Sequence, residues 1–483
     1  MPIVRDGRRG AHMKLLDFLQ VVPAEVAEYV LPSSRVLLLL RTSREMRRTV
    51  SAVRCGADIE PNRLMKQTYK DVTTSVTQRQ AALRVFMYGS ASLTLSAGNL
   101  YIASFTMHDI RIDTVGVLCN MLRGSTRLAV LDMCNNHIPE DLLYDVLAAI
   151  PPSVQKLRLA KQWISRAAVT PLCALLGRLV VLAELDLSVN YLNSQGMEAI
   201  TASIASQQLT HVCIGYNHLK SRFWNEHPQL GFDRFVLKKL DLQHNLLQGV
   251  YCDSVYACVR RSAAVLTTLD VSHNDLRVLG ISCLSACLQH CRGLRHLNVA
   301  GNLCGDAAIG LLFGAIRPPT HETSMCLESL DVGNNQLSAI SARHLASCLA
   351  HNRRLQDSLS NVSFSHNELQ DVGAQLLVDA LVPCKLAKLF LAHCAMGEAT
   401  GMFLAGAMQH WPDMQLLDIY ANRLGETSLR LIAQNLSAND SKEKELRCLD
   451  NYCTFTLAHE LQRTVANGRI TPAWHLQPWR ARA

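Results

Sequence analysis

Aliphatic residues recur along this chain in a fixed frame, L-x-L-x-x-N-x-L, from about residue 100 to residue 453. Clear copies are LDMCNNHI (131–138), LDLSVNYL (185–192), VCIGYNHL (212–219), LDLQHNLL (240–247) and LDVSHNDL (269–276). LNVAGNLC (297–304), LDVGNNQL (330–337), VSFSHNEL (362–369), LFLAHCAM (389–396) and LDIYANRL (417–424) continue the series. LYIASFTM (100–107), LRLAKQWI (157–164) and LRCLDNYC (446–453) match more weakly. The sixth position returns at a spacing near 28 residues over about 13 units, too regular for chance.

The frame predicts two kinds of element. Alternation in L-x-L predicts a short strand whose leucines point inward while the residue between them faces out. Between frames, GMEAITASIAS (196–206), ISCLSACLQH (281–290), AAIGLLFGAI (307–316), ISARHLASCLA (340–350) and VGAQLLVDAL (372–381) carry apolar residues at helical spacing. One unit cannot bury its own apolar face, but stacked units bury a continuous core between strands and helices. The asparagine at position six is expected to turn inward and serve backbone groups that no ladder partner reaches. That assigns a structural role to Asn136, Asn190, Asn217, Asn245, Asn274, Asn302, Asn335, Asn367 and Asn422, with Cys394 in the same slot.

A full helix per unit, a period near 28 and glycine near the helix start (Gly196, Gly280, Gly305, Gly373, Gly425) resemble the ribonuclease-inhibitor type of leucine-rich repeat. The resemblance covers roughly residues 100–453 and implies an α/β leucine-rich repeat solenoid. The expected form is an open horseshoe, with parallel strands on a concave face and helices on a convex one. Residues 93–456 form the predicted solenoid, 1–92 a helical N-terminal cap or F-box-like region, and 457–483 a C-terminal cap and tail.

Composition narrows the function classes. Nearly half the 483 residues are hydrophobic and 18% are charged, which fits a globular chain. The net charge of +8 is mild for this length, and Lys and Arg are scattered, which argues against direct nucleic-acid binding. The longest strongly apolar run, VLLLL at 36–40, is far short of the ~20 residues that cross a bilayer. Seventeen cysteines without a visible signal peptide point to free thiols in a reducing compartment. Cytoplasmic, cytoskeletal or ciliary settings fit that reading, and the Arg-rich start is also compatible with a mitochondrial presequence. Cys283, Cys287 and Cys291, spaced i, i+4, i+8, read as a packed helical stripe, because zinc needs four converging ligands.

Candidate binding residues fall into three groups. Asp186, Asp241, Asp270, Asp331 and Asp418 occupy the outward position of L-x-L. They form either an acidic stripe for a basic partner or residues supported within neighbouring coils. Position five holds His244, His273, His366 and His393, read as tolerated surface residues near one another. Between Asn217 and Asn245 the expected helix is replaced by SRFWNEHPQLGFDRF (221–235). Its Phe223, Trp224, Phe232 and Phe235 either anchor a partner or seal the gap. Loops around 317–326 and 351–361 are expected to project, and Trp474 and Trp479 lie in a segment that covers the last coil or docks elsewhere.

Residues 1–90 lack the frame and read as helical. Their order, Pro23-Ala-Glu-Val followed by Val30-Leu31-Pro32 and then the apolar run, resembles an F-box. That resemblance implies that Pro23, Val26, Val30, Leu31 and Leu37 face a Skp-type adaptor while the solenoid presents a ubiquitylation substrate. No P-loop, GxSxG, HExxH or kinase signature is present, and nothing asks for a cofactor, metal or small-molecule substrate. The expected function is a non-catalytic protein-interaction scaffold, a subunit of a larger assembly. An F-box-like substrate receptor is the alternative. A Ran GTPase-activating type regulator is a third reading, set against the basic end of this chain.

Overall fold

The computed structural model describes residues 92–94, 119, 122–123, 128–134, 138–219, 231–248, 252–317, 325–350, 352–438, 444–452, 457 and 461. The chain forms two compact units, Met1–His218 and Leu219–Ala483. The F-box-like residues, Asn136, Phe223, Trp224, Trp474 and Trp479 lie outside the described residues.

In the first unit the strands are β1 (Ser92–Thr94), β2 (Val130–Asp132), β3 (Lys156–Arg158), β4 (Glu184–Asp186) and β5 (His211–Cys213). They pair in parallel and in chain order. Helices α1 (Glu140–Ala149), α2 (Val169–Arg178) and α3 (Asn193–Ser203) connect them. The strand preceding β2 lies upstream of the weak copy placed at 100–107, a segment that itself falls outside the described residues. SLTL at 92–95 carries the same alternation, so the frame alone does not choose between the two stretches.

The second unit contains β6 (Lys239–Asp241), β7 (Thr268–Asp270), β8 (His296–Asn298), β9 (Ser329–Asp331) and β10 (Asn361–Ser363), followed by β11 (Lys388–Phe390), β12 (Leu416–Asp418) and β13 (Glu445–Arg447). These strands also pair in parallel and in order. Its helices are α4 (Asp253–Arg261), α5 (Arg277–Leu288), α6 (Gly305–Ile316), α7 (Ala339–Ala350), α8 (Arg353–Ser358), α9 (Gln370–Leu381), α10 (Glu398–Ala407) and α11 (Glu426–Ala438). Each unit is therefore built of α/β leucine-rich repeats.

The register follows from the leucines. Leu240, Leu269, Leu297 and Leu330 stand opposite one another across successive strands, each fully buried and each flanked by half-buried or exposed residues. A slip of one residue would turn every leucine outward, so burial pins the register. Helices close the other side of the core. Gly373 permits a close backbone approach there: a Cβ at this site would meet the Ala339 Cα at 2.9 Å, which holds α9 tight against α7.

Two expected irregular segments are ordered. Residues 353–358 form α8 rather than a projecting loop, because Leu355 and Leu359 are buried beneath it. Phe232, 1% exposed, heads a short 3₁₀ turn ending at Arg234 that packs against α4. Its ring is out of reach of a partner, and Phe235 is buried beside it.

Candidate functional site

The inward asparagines are held to the backbone by hydrogen bonds. Asn302 accepts the N–H groups of Asn274 and Leu276 from the preceding coil, both at 3.2 Å. It donates to the Val271 carbonyl of that coil and to Val299 of its own. Asn190, Asn274 and Asn422 repeat this four-bond pattern, and so does Asn367. Asn335 accepts from the Asn302 N–H and donates to Val299 and Val332. Asn217 and Asn245 donate to the Ile214 and Leu242 carbonyls of their own coils. At Cys394 the thiol sits 3.4 Å from the Phe364 carbonyl, and burial pushes it up to about 12. Gln162 fills the slot with a longer side chain whose Nε2 reaches the Met133 carbonyl, leaving its buried Oε1 without a hydrogen bond.

The outward aspartates also have local work. Oδ1 of Asp186, Asp241, Asp270, Asp331 and Asp418 each accepts the backbone N–H two residues on, at 2.9 to 3.2 Å. This turn closes the strand end, and Asn298 closes its own in the same way. The second oxygen is engaged in several coils: Asn298 donates to Asp270, and Arg447 lies 3.5 Å from Asp418. Burial raises the carboxyls of Asp241, Asp331 and Asp418, with Asp270 adding repulsion at Asp241. In the second unit the column reads Asp241, Asp270, Asn298, Asp331, Ser363, Phe390, Asp418, Arg447. Only Asp241 and Asp270 are adjacent acids, so the stripe is interrupted.

Position five has a constraint that the frame does not reveal. Lys161, Val189, Tyr216, His244, His273, Gly301, Asn334, His366, His393, Ala421 and Asp450 all adopt positive φ, between 50° and 66°. Histidine and asparagine tolerate this region better than most residues, which accounts for their recurrence there. In the second unit His244 stacks on His273 at 4.0 Å between ring centroids, and His366 on His393 at 4.4 Å. The His273 ring lies over Gly301, where any side chain would collide with it. Burial, and the neighbouring imidazole after it, lower the pKa of His244 and of His366.

The first unit uses the same positions differently. Its position five carries Lys161, Val189 and Tyr216, and its position seven carries Trp163, Tyr191 and His218. Trp163 meets Tyr191 edge to face at 6.5 Å, and Tyr191 stacks on His218 at 5.9 Å and 8°. Trp163 is 62% exposed, Tyr191 53% and Tyr216 42%. Trp163, Val189 and Tyr216 sit in the left-handed region, where a β-branched or bulky residue is unfavourable. These side chains thus bear both a backbone cost and an exposure cost. Position seven is unspecified in the repeat frame, so this run is visible only once coils are stacked.

The described cysteines are free thiols. Cys287 and Cys291 are buried in and beyond α5, while Cys283 faces out. Among the described residues no group of three or more His, Cys, Asp or Glu is placed to hold a metal, and no helix is long and apolar enough to cross a membrane.

Comparison with known proteins bears on the fold. A leucine-rich repeat family model matches residues 263–285. Ribonuclease inhibitor from Sus scrofa is 24% identical over 369 residues, covering 68% of this chain and 73% of that protein. Human NACHT, LRR and PYD domains-containing protein 12 is 28% identical over 291 residues, covering 59% of this chain; the chain spans only 26% of that relative's length. A chain from the yeast Rad7 and Elc1 complex aligns with TM-score 0.49 and 13% identity, covering 82% of this chain and 94% of its own. With its period, its helix per unit and its asparagine ladder, this chain is a leucine-rich repeat protein of the ribonuclease-inhibitor type.

Proposed function

We propose that the protein is a non-catalytic protein-binding scaffold and that the aromatic run of the first unit is its contact surface. One observation carries this reading: Trp163, Tyr191 and Tyr216 are exposed where solvation disfavours them, and Trp163 and Tyr216 also occupy left-handed backbone. Tyrosine and tryptophan are the residues that most often supply binding energy at protein interfaces. Rings held against one another lose little conformational freedom on binding. Ribonuclease inhibitor, a relative, is by its name directed at another protein, which supports a protein target. Asp186, at the outward position of β4 in the same unit, would supply a polar contact beside the rings.

A photo-crosslinking residue at Trp163, introduced into the full chain in cells, tests this. The expected result is one dominant crosslinked protein whose yield falls at least about tenfold on Tyr191→Ala. Crosslinking no stronger than from Val180, which is 58% exposed outside the run, would refute the proposal.

A further inference from the structure

The helix side of the second unit carries an unusual surface. Leu279, Leu311, Ile340, Val372, Met402 and Phe403, on α5, α6, α7, α9 and α10, are each between 41% and 63% exposed. Leu279, Ile340 and Val372 occupy the same place in their repeats, and Leu311 and Phe403 share another one turn further on. The repeat thus draws apolar rows across adjacent helices. Past the first turn of these five helices, the exposed and half-exposed residues include only two formal charges, Arg343 and Asp379. Exposed surfaces normally carry about a quarter to a third charged residues, and continuous apolar patches on them mark interaction sites.

Arg343 and Asp379 identify the occupant. They lie on neighbouring helices, α7 and α9, and neither has an ion-pair partner among the described residues. Asp379 sits one helical turn further along its repeat than Arg343. A two-fold axis lying in the plane of this face and bisecting the line between Arg343 and Asp379 exchanges the two side chains. It sets Arg343 of one copy against Asp379 of the other, twice, inside an apolar field. A two-fold interface must be self-complementary, and one basic and one acidic group placed on either side of an axis satisfy that condition. Rows of apolar side chains on one copy can pack into the grooves between helices of the other.

We propose that the protein self-associates through this face, two copies packing face to face about an axis between Arg343 and Asp379. The proposal is independent of the aromatic run, which belongs to the other unit. Sedimentation velocity on the full chain, from about 1 to 100 µM, tests it. A concentration-dependent dimer is expected, and Leu311→Glu should weaken its dissociation constant at least about tenfold. Arg343→Asp and Asp379→Arg should each weaken association, and the double exchange should restore it. All three sites are exposed, so thermal melts of the variants should match the parent. A monomer at every concentration, or a dimer indifferent to Leu311→Glu, would overturn the proposal. So would a double exchange that fails to restore association, or hydrogen exchange showing this face already protected in the monomer by the chain itself.

Discussion

Asp371 in α9 accepts the backbone N–H of Gly397 at 2.7 Å, so an acid in one helix caps the helix of the next repeat, 26 residues on. Asp306 does the same for Ser338 and Ser341, and Glu398 for Gly425 and Ser428. Each carboxylate serves N–H groups that a helix cannot satisfy internally and faces the positive end of its dipole. Asp371→Ala should therefore lower stability by about 1–2 kcal/mol, with Asp371→Asn intermediate, measured by urea denaturation.

These caps also set an acid limit. Burial opposes ionisation of Asp306, but the Ser341 and Ser338 donors outweigh it and hold the carboxyl below its ordinary value. A folded pKa below the unfolded one gives stability that is present above about pH 4 and is lost as pH falls through the folded value. The cost of Asp306→Ala should be full at pH 7 and shrink toward pH 2, followed by denaturant midpoints across that range.

The asparagine slot yields a pair of opposite outcomes. Asn302→Ala removes the acceptor for two buried N–H groups and should cost on the order of 3 kcal/mol. Cys394→Asn supplies Asn367 and Leu369 with the acceptor that Asn422 gives Cys394 and Met396. It should stabilise by about 1 kcal/mol. Equilibrium unfolding of the two variants should move in opposite directions.

Gly301, His273 and His244 form a coupled set. Gly301→Ala meets both positive φ and the His273 ring, and should cost about 1–3 kcal/mol. In a His273→Ala background the collision disappears and only the backbone cost remains, so a double-mutant cycle should show coupling. His273→Asn should raise the His244 pKa, because the neighbouring imidazole helps to lower it. Imidazole proton shifts in an NMR titration read this directly.

At Asp331 the turn needs an oxygen but not a charge, as Asn298 shows in the adjacent strand. Burial raises the Asp331 carboxyl, so its ionisation removes stability as pH rises through the folded pKa. Asp331→Asn should raise the urea midpoint at pH 7 and leave it nearly unchanged at pH 3.

Much of this was legible from residue spacing, because a strand that buries alternate leucines and an asparagine that serves two coils both impose strict periodicity. Leu240, Leu269 and Leu297 fall in register where the frame puts them. What escaped depends on backbone conformation or on neighbours far apart in sequence. The recurring histidines suggested a surface slot, yet the left-handed φ that selects them has no signature in hydropathy. Trp163, Tyr191 and His218 occupy an unconstrained position in three separate copies, so no local window unites them. Phe232 resembled an exposed anchor because polar residues surround it, but it is buried against α4, a helix some twenty residues further along the chain.

The asparagine ladder has a direction. Where the slot holds Asn190, Asn274, Asn302, Asn367 or Asn422, the preceding coil offers two N–H groups forward and the amide of the following coil receives them, so donors and acceptors balance only over a whole repeat. Duplicating or deleting one complete unit leaves no buried group stranded, whereas a partial insertion strands donors on one side of the cut. Lengthening or shortening by whole repeats is thus the cheapest evolutionary change open to this architecture. Insertions elsewhere in a unit can vary without touching that balance.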